Sequence, residues 1–253
     1  MSDSDKYQNW AITTERYVAF IDIMGFKNMV ATRDHGSMYE MMKDVKHSSL
    51  ANTSIGTRRA PDKMDFLVRS TTYSDSIMIY SRDAFDNSLM AICMATSTLT
   101  SDMFLKKIPF RGAIAFGVMT LDHENSIFFG QPLINAYELQ QELNFYGIAV
   151  HHSAEKKFPA MGVDIRYSSL DYNCPLKNGT VNHKTIYPNA MSYMVKVENA
   201  AEHRGAINGL AAMRMEVSGI VRKYVDNTEK YFDQVLVETE KQWKHLQDVG
   251  NRG

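Results

Sequence analysis

Apolar positions along this chain come in short, dense runs that polar turns and glycines interrupt. The run over 17–23 is apolar and β-branched and stops just before Gly25, which predicts a buried strand followed by a sharp turn. Two runs over 66–71 and 76–81 predict a β-hairpin with a tight turn between them. The long apolar segment over 86–105 predicts a helix.

The remaining segments continue this alternation of strands and helices. Residues 26–50 are weakly helical, and residues 51–64 predict a loop. Further elements are strands over 109–120, 126–129, 147–151, 184–187 and 192–197, and a helix from Pro132 to about Phe145. After residue 198 helical patterns dominate, with a predicted break near 226–228.

This order of elements predicts an α+β fold. The succession β-α-β-β-α-β is that of a ferredoxin-like domain, with an antiparallel-rich sheet flanked by helices. We therefore predict a domain over 1–197 and a C-terminal helical extension over 198–253. In a ferredoxin-like sheet the first strand lies beside the central hairpin, so Asp22 and Asp75 are expected at neighbouring strand ends.

Two carboxylates on neighbouring strand ends suit a hard divalent cation. Mg²⁺ and Mn²⁺ prefer carboxylate, carbonyl and phosphate oxygens, so Asp22, Asp75 and the Ile23 carbonyl are candidate ligands. The alternative is structural: Asp22 caps the following helix and Asp75 makes the hairpin turn, the commoner role of either residue alone. Together, on adjacent strand ends, they favour one or two cations that also hold a phosphate chain.

The backbone that follows Asp22 is a candidate phosphate cradle. The N–H groups of Met24, Gly25 and Phe26 stand where the next helix is predicted to begin. The first N–H groups of a helix have no partner within the helix and attract anions.

Composition narrows the class of protein. The chain has 253 residues, of which 44% are hydrophobic, so it can bury a sizeable core. With 28 basic and 29 acidic residues it suggests no polyanion-binding surface, and nucleic acid is not an expected partner. No segment suggests the roughly 20 apolar residues that a membrane span requires. Cys93 and Cys174 form no spacing motif, which suits a reducing, cytoplasmic compartment.

Five segments resemble, in order and spacing, the motifs of class III nucleotide cyclases. These segments are Phe20 to Phe26, Ser74 to Ser76, Arg111 to Gly117, Gly130 to Ala136 and Pro175 to Gly179. The first two are similar to the family's two metal-binding turns, and the others to its Arg-x-Gly strand, its helix start and its late Leu-Lys-Gly turn. The resemblance extends from about residue 17 to residue 187.

The resemblance implies an enzyme that closes a nucleoside triphosphate into a 3′,5′-cyclic monophosphate and releases pyrophosphate. It implies two Mn²⁺ or Mg²⁺ ions per site, with Asp22 and Asp75 binding both ions and the Ile23 carbonyl binding the second. Family sites form between two cyclase domains, so it also implies a homodimer whose sites are shared between protomers.

The same motifs imply the rest of the nucleotide site. Arg111 is the candidate catalytic cation that neutralises phosphate charge. The candidate nucleotide-binding residues are Phe20, Met24, Gly25, Phe26, Thr71, Tyr73 and Lys177.

Two departures from the family pattern fall on the helix after Gly130. Ile134 stands where the family has an asparagine, and Asn135 is one position later, a rotation of roughly 100° on a helix. Glu138 replaces the family's transition-state arginine. Arg111 and Lys177 remain as the cations able to neutralise the phosphates.

Two further departures concern the base. Thr71 and Ile127 stand where adenine-selecting members carry a lysine and an aspartate. Because a site built to hydrogen-bond one base rejects another strongly, ATP is an unexpected substrate. Tyr73, Phe128 and Phe129 are candidates to shape a smaller pocket.

This pattern resembles the pyrimidine cyclases of bacterial Pycsar antiphage systems. The resemblance implies UTP or CTP as the substrate, activity supported by Mn²⁺, and cyclic UMP or cyclic CMP as an alarm that a separate effector senses. We favour UTP slightly, although Thr71, Tyr73 and Ile127 do not separate uracil from cytosine.

Two other classes of protein compete with the enzyme. Ile134 and Glu138 favour a cyclase-shaped module that binds nucleotide or dimerises without turnover, whereas the retained Asp22 and Asp75 favour the enzyme. A ferredoxin-like RNA-binding domain is the weaker alternative, because it needs a basic sheet face that the near-neutral charge does not suggest.

Overall fold

The computed structural model describes residues 10–50, 66–158, 169–188 and 200–250. The predicted loop over 51–64 and the predicted strand over 192–197 lie outside these ranges.

Eight strands and seven helices make up the described part of the chain. The strands are β1 Thr13–Ile23, β2 Val68–Tyr73, β3 Ser76–Ser81, β4 Phe110–Asp122, β5 Ile127–Gly130, β6 Ile148–Val150, β7 Ser169–Leu176 and β8 Gly179–Ile186. The helices are α1 Phe26–Thr32, α2 His35–Leu50, α3 Asp86–Leu105, α4 Gln131–Glu142, α5 His152–Glu155, α6 Ala200–Glu216 and α7 Gly219–Gly250.

The strands form a single mixed sheet in which antiparallel pairing dominates. Its order is β2-β3-β1-β4-β6-β8-β7, with β5 paired to β4 beside this path. The first four strands in that order pair antiparallel, as in a ferredoxin-like domain, and β6 then joins β4 in parallel. The predicted α+β fold is therefore confirmed, as is the prediction that the first strand lies beside the central hairpin.

Helices cover the two faces of the sheet unequally. Alternate residues of β1 point to opposite faces: Tyr17, Ala19 and Ile21 join the large core that α3 closes. Val18 and Phe20 point to the other face, where α4 packs against β4 and β1. This second face carries the candidate site.

Helix α3 has the length and composition of a membrane-crossing segment, which the sequence analysis did not anticipate. Its candidate span, Asp86–Leu105, is 72% buried inside the protein, as expected for the core helix of a folded domain. The helix is apolar because it packs against the sheet.

The C-terminal helices pack onto the sheet domain. Leu210 of α6 and Phe232 of α7 are buried in the large core, and Tyr231 is buried in a second cluster beside β7. The predicted break near 226–228 is wrong, because α7 is continuous from Gly219 to Gly250 and the chain instead leaves α6 after Glu216.

The residues that suggested this break anchor α7 to the sheet domain. Asn227 donates to the Asn144 carbonyl at 2.8 Å. The Thr228 hydroxyl donates to the Tyr224 carbonyl at 2.7 Å and accepts from the Tyr146 N–H at 2.8 Å. Their polar groups are satisfied by these bonds, so they are compatible with a helix interior.

Strand β7 was not predicted from the sequence, and β8 was predicted too short. Residues 169–176 form β7 and pair along their length with β8, which begins at Gly179 rather than at Lys184. Pro175 in β7 weakened the strand signal, but β7 is the last strand in the sheet order, where a proline is tolerated.

Candidate functional site

The end of β1 brings the two predicted carboxylates together. Asp22 pairs with Ser76 of β3 on one side and with Arg111 of β4 on the other. The Ile23 N–H donates to the Asp75 carbonyl at 2.8 Å, which ties the hairpin turn to the end of β1. Two aspartates that are far apart in the chain thereby reach one corner of the sheet.

The charge balance at this corner is incomplete. Arg111 Nε donates to Asp22 Oδ2 at 3.4 Å, and Arg111 Nη1 donates to the Gln141 carbonyl at 3.0 Å. Burial raises the pKa of the Asp22 carboxyl, the Arg111 guanidinium opposes this rise, and the nearby Asp75 carboxylate adds to it. An additional cation at this corner would stabilise the charged form of Asp22.

The backbone after Asp22 turns through a glycine in the left-handed region. Gly25 has φ 72° and ψ 11° and precedes the first turn of α1. The Met24 N–H donates to the Pro109 carbonyl at 2.9 Å, so it continues the pairing with the chain before β4. The expected phosphate cradle of three N–H groups is corrected to two, those of Gly25 and Phe26.

The predicted base-reading residue lies on the same sheet face as Asp22. Thr71 pairs with Met78, whose side chain belongs to the buried cluster on this face. Tyr73, two positions further along β2, is 83% exposed beside the turn of the hairpin. Phe20 lies between these residues and α4, where its ring makes an edge contact with Tyr137 at 5.5 Å.

The structure separates the other residues that the sequence analysis grouped around the base. Phe128 packs into the cluster on the Thr71 face, against His123 at 5.1 Å. Ile127 and Phe129 alternate with Phe128 along β5 and therefore point to the opposite face. Thr71 and Ile127 consequently do not flank one pocket through their side chains.

Two residues on the Thr71 face were missed. Tyr80 places its hydroxyl 3.2 Å from Thr71 Oγ1 and 3.4 Å from Nε2 of His123. Tyr80 had a detectable signal, since it lies two positions after Met78 on the strand and so shares its face. His123 lies in the turn between β4 and β5, and no periodicity predicts its position.

Helix α4 presents the residues that depart from the family pattern. Ile134 and Tyr137 are 49% and 45% exposed, and Glu138 is exposed beside them. Asn135 accepts from Gln131 at 2.8 Å within the helix, so its carboxamide is engaged locally. Tyr137 was missed, although its spacing of three from Ile134 places it on the same helix face.

Lys177 lies in the hairpin turn between β7 and β8. Its N–H donates to the Glu142 carbonyl at 2.8 Å, next to Gln141, whose carbonyl holds Arg111. The turn therefore contacts the end of α4 that borders the carboxylate corner, and the Lys177 side chain is exposed.

The donor set suits a hard cation. Asp22, Asp75 and the Ile23 carbonyl supply oxygen only, which is the chemistry of Mg²⁺ or Mn²⁺ rather than of zinc. Within the described ranges, no group of three or more His, Cys, Asp or Glu side chains is assembled to hold a metal. Two carboxylates leave coordination positions for phosphate oxygens, so these residues fit cations that arrive with a triphosphate.

Comparison with known proteins yields similarity of structure only. No protein-family profile and no curated sequence matches the chain. The structure is similar to the catalytic core of a rhodopsin-guanylyl cyclase with converted specificity in complex with ATPαS, with 11% identity, 70% of this chain and 99% of that chain covered, and a TM-score of 0.48. It is also similar to an adenylate/guanylate cyclase/hydrolase from Silicibacter pomeroyi, with 13% identity, 70% and 98% coverage, and a TM-score of 0.44. Such values assign neither an activity nor a substrate to the chain.

Proposed function

We propose that this chain is a nucleotide cyclase that converts UTP to 3′,5′-cyclic UMP and pyrophosphate, with CTP as the alternative substrate. One observation carries the proposal. The half-buried Asp22 carboxylate lies on a strand end between Asp75 and Arg111, and its pKa is raised because burial, to which the Asp75 charge adds, outweighs the opposing effect of the Arg111 guanidinium. A carboxylate in this state gains from a cation and a ligand that completes the charge balance.

The residues have distinct roles in this proposal. Asp22, Asp75 and the Ile23 carbonyl would hold the two Mn²⁺ or Mg²⁺ ions together with the triphosphate. When bound, such ions lower the pKa of the ribose 3′-hydroxyl and offset charge on the phosphates. Arg111 favours the charged form of Asp22 and would offer its guanidinium to phosphate oxygens, and the N–H groups of Gly25 and Phe26 would contact the phosphate chain.

The remaining residues hold the nucleoside and the phosphates. Thr71 faces the base, and the exposed Tyr73 ring at the mouth of the site can stack on it. Phe20 supplies an apolar surface beside the ribose, and the exposed Lys177 adds a second cation at the end of α4. Pyrimidine selection rests on the absence of a purine-reading pair, because Thr71 and Ile127 point to opposite faces.

A homodimer with shared sites is part of the proposal. The exposed apolar side chains Ile134 and Tyr137 on α4 lie beside the carboxylate corner, where a second copy would cover them. A two-fold axis through this face would give two equivalent sites.

The principal test is a turnover assay. The purified protein is incubated with ATP, GTP, CTP and UTP, each with Mn²⁺, and the products are separated by chromatography. We expect cyclic UMP or cyclic CMP and pyrophosphate, with little product from the purines. Absence of a cyclic product from every nucleotide contradicts the enzyme and favours the non-catalytic nucleotide-binding module, which binding measurements with UTP and Mn²⁺ then address.

Asp75→Ala should abolish turnover and leave the fold intact. The matched control is Asp44→Ala, which removes an exposed aspartate paired with Lys106 at 2.8 Å on the helical side of the protein. We expect Asp44→Ala to retain wild-type turnover. Equal activity of the two variants contradicts the metal role of Asp75.

Mixing two inactive variants tests the shared site. Asp75→Ala removes a metal ligand, and Thr71→Arg blocks the base pocket. If each site combines the two regions from different protomers, mixed dimers contain one intact site, and the mixture recovers roughly a quarter of the wild-type activity. If light scattering shows dimers but mixing recovers no activity, Asp75 and Thr71 of one site come from the same protomer. That result contradicts a site shared between protomers in this way.

The signalling role is proposed from the resemblance to the Pycsar cyclases. Cyclic UMP measured in cells before and after phage infection tests it directly. A level that does not respond to infection contradicts the antiphage role and leaves the enzymatic proposal standing.

A further inference from the structure

A short relay of hydroxyl and imidazole groups backs the residue that faces the base. The Tyr80 hydroxyl is 3.2 Å from Thr71 Oγ1 and 3.4 Å from Nε2 of His123. Thr71 and His123 are half-buried, whereas Tyr80 is completely buried at 0% exposure. A substrate can therefore contact Thr71 directly, whereas Tyr80 can act on a substrate only through its hydrogen bond to Thr71.

Packing fixes the position of the Tyr80 ring. Trp10 contacts it edge-on at 6.0 Å, and the His123 ring lies 5.7 Å away. On the strand, Tyr80 pairs with Val18 of β1. The ring is held on both sides, so its hydroxyl cannot leave the relay without disturbing the cluster.

The His123 imidazole is kept neutral. Burial and, to a smaller extent, the nearby Arg69 and Arg16 guanidinium groups together lower the pKa of His123 to about 4, although the Asp122 carboxylate opposes them. A neutral imidazole has one N–H and one lone pair, so Nε2 acts either as a donor or as an acceptor. The three groups can consequently be hydrogen-bonded in two arrangements, which we call the two polarities of the relay. In one, donation runs from His123 to Tyr80 to Thr71, and in the other it runs from Thr71 to Tyr80 to His123.

The polarity determines whether the Thr71 hydroxyl acts as a hydrogen-bond donor or as an acceptor toward a ligand. The Tyr80 hydroxyl has one hydrogen, so at a given time it can donate to Thr71 or to His123 but not to both. When Tyr80 donates to Thr71, the Thr71 hydrogen is left for a carbonyl oxygen, such as O4 of uracil. When Tyr80 donates to His123, Thr71 donates to Tyr80 and offers a lone pair to an amino group, such as N4 of cytosine.

We infer that Tyr80 is a positioning residue for base selection, which sets through Thr71 whether the site prefers a carbonyl-bearing or an amino-bearing pyrimidine. The inference rests on the proposed function, since it requires that Thr71 faces the base. With UTP as the preferred substrate, the relay runs from His123 through Tyr80 to Thr71, and each group donates to the next.

The test compares UTP with CTP in Tyr80→Phe. This variant keeps the ring and its contacts and removes the hydroxyl alone, so Thr71 is free to rotate to either polarity. We expect the ratio of kcat/KM for UTP to that for CTP to fall roughly three- to tenfold, the size of one hydrogen-bond preference. Tyr17→Phe is the matched control, since Tyr17 is also buried, on β1, but points to the opposite face.

A double variant separates the relay from a general effect on the fold. Thr71→Val removes the hydroxyl that the relay orients, so adding Tyr80→Phe to Thr71→Val should leave the UTP/CTP ratio unchanged. If Tyr80→Phe is too unstable to assay, His123→Phe tests the relay from its other end, because it keeps the aromatic contacts and removes Nε2. We expect it to shift the ratio in the same direction.

The two proposals fail in different ways. A wild-type protein that yields no cyclic product from any nucleotide removes the proposed function, and the inference with it. A wild-type protein that turns over pyrimidines, with a UTP/CTP ratio unchanged within twofold in Tyr80→Phe or in His123→Phe, overturns the inference alone. A ratio that shifts equally with and without the Thr71 hydroxyl also overturns it.

Discussion

Two aspartates in similar positions differ in how well their charges are satisfied. Asp22 follows the buried part of β1, and Asp83 follows β3; their side chains are 22% and 20% exposed, and each pairs with an arginine. Asp83 accepts from Arg82 Nε at 2.8 Å, from the Ser88 hydroxyl at 2.6 Å and from the Phe85 N–H at 3.1 Å. Asp22 accepts from Arg111 Nε at 3.4 Å.

The pKa values of the two carboxyls shift in opposite directions. Burial acts to raise both. At Asp83 the hydrogen bonds from Ser88 and Arg82 overcome it, and the pKa is lowered. At Asp22 burial prevails over Arg111, and the pKa is raised. Burial alone therefore does not mark a functional carboxylate; what distinguishes Asp22 is acceptor capacity that the protein leaves unused.

The largest expected difference between the two aspartates is in turnover. Under the proposed function Asp22 is a metal ligand, so Asp22→Asn should reduce kcat at least about 100-fold through the loss of charge stabilisation at the reacting phosphate. Asp83→Asn should leave kcat within about threefold of wild type, since Asp83 only orders the start of α3. Initial rates with saturating UTP and Mn²⁺ measure both variants.

Mn²⁺ binding gives an independent readout of this contrast. Titration of the protein with Mn²⁺ in the presence of a non-hydrolysable UTP analogue should show weakened binding for Asp22→Asn alone. Similar losses of turnover in both variants, with unchanged Mn²⁺ binding, contradict the assignment of Asp22 as the ligand.

The next largest expected difference is in stability. Here Asp83→Asn, rather than Asp22→Asn, should have the larger effect. Asp83→Asn should lower the free energy of unfolding by about 1–3 kcal/mol, because it disturbs charge-assisted hydrogen bonds at a half-buried site. Asp22→Asn should change it by less than about 1 kcal/mol, since the lost charge was poorly compensated. Urea unfolding followed by circular dichroism measures both, and a larger loss for Asp22→Asn contradicts the comparison.

The two corners also differ in backbone geometry, which predicts a smaller effect. Gly25 precedes α1 with φ 72°, whereas Phe85 precedes α3 with φ −73°. Gly25→Ala should cost about 1–2 kcal/mol of unfolding free energy, because an L-residue is strained in the left-handed region. No atom lies within 4 Å of an added Cβ, so the cost is conformational rather than steric.

A conservative variant isolates this conformational cost. Gly25→Asn should lose less stability than Gly25→Ala, since asparagine tolerates the left-handed region better than alanine does. Thermal unfolding of the two variants makes the comparison. Equal losses contradict a conformational origin.

The sequence was sufficient to predict how the sheet is built around Asp22. Apolar runs and the spacing of the hairpin identified β1, β2 and β3, and the ferredoxin-like order then placed Asp22 beside Asp75. Strand alternation could also have found Tyr80, and helix spacing could have found Tyr137. These are properties of local periodicity, which one sequence contains.

Other features depend on contacts between distant segments, which periodicity does not encode. The polar residues Asn227 and Thr228 resemble a helix break until Asn144 and Tyr146 are seen to bond with them. The Met24 N–H looked available for phosphate until Pro109 was found to accept from it. The incomplete satisfaction of Asp22 likewise depends on a distance of 3.4 Å to Arg111, which no pattern of residue types predicts.

The smallest predicted effect is on the pH dependence of stability, where the two aspartates should have opposite signs. A lowered native pKa at Asp83 contributes stability above the unfolded-state value near 3.8, and this contribution is lost as pH falls through the native pKa. A raised native pKa at Asp22 works the other way: the native state binds the proton more tightly, so Asp22 costs stability as pH rises from about 3.8 through its native pKa.

Unfolding free energies of wild type, Asp22→Asn and Asp83→Asn, compared in urea between about pH 3 and pH 7, measure these opposite slopes. The wild-type advantage over Asp83→Asn should grow with pH, and the advantage over Asp22→Asn should shrink. Saturating Mn²⁺ and a UTP analogue should abolish the Asp22 slope, because a bound cation stabilises the charged carboxylate, and should leave the Asp83 slope unchanged. Slopes of the same sign for both aspartates contradict the view that Asp22 is held ready for a cation.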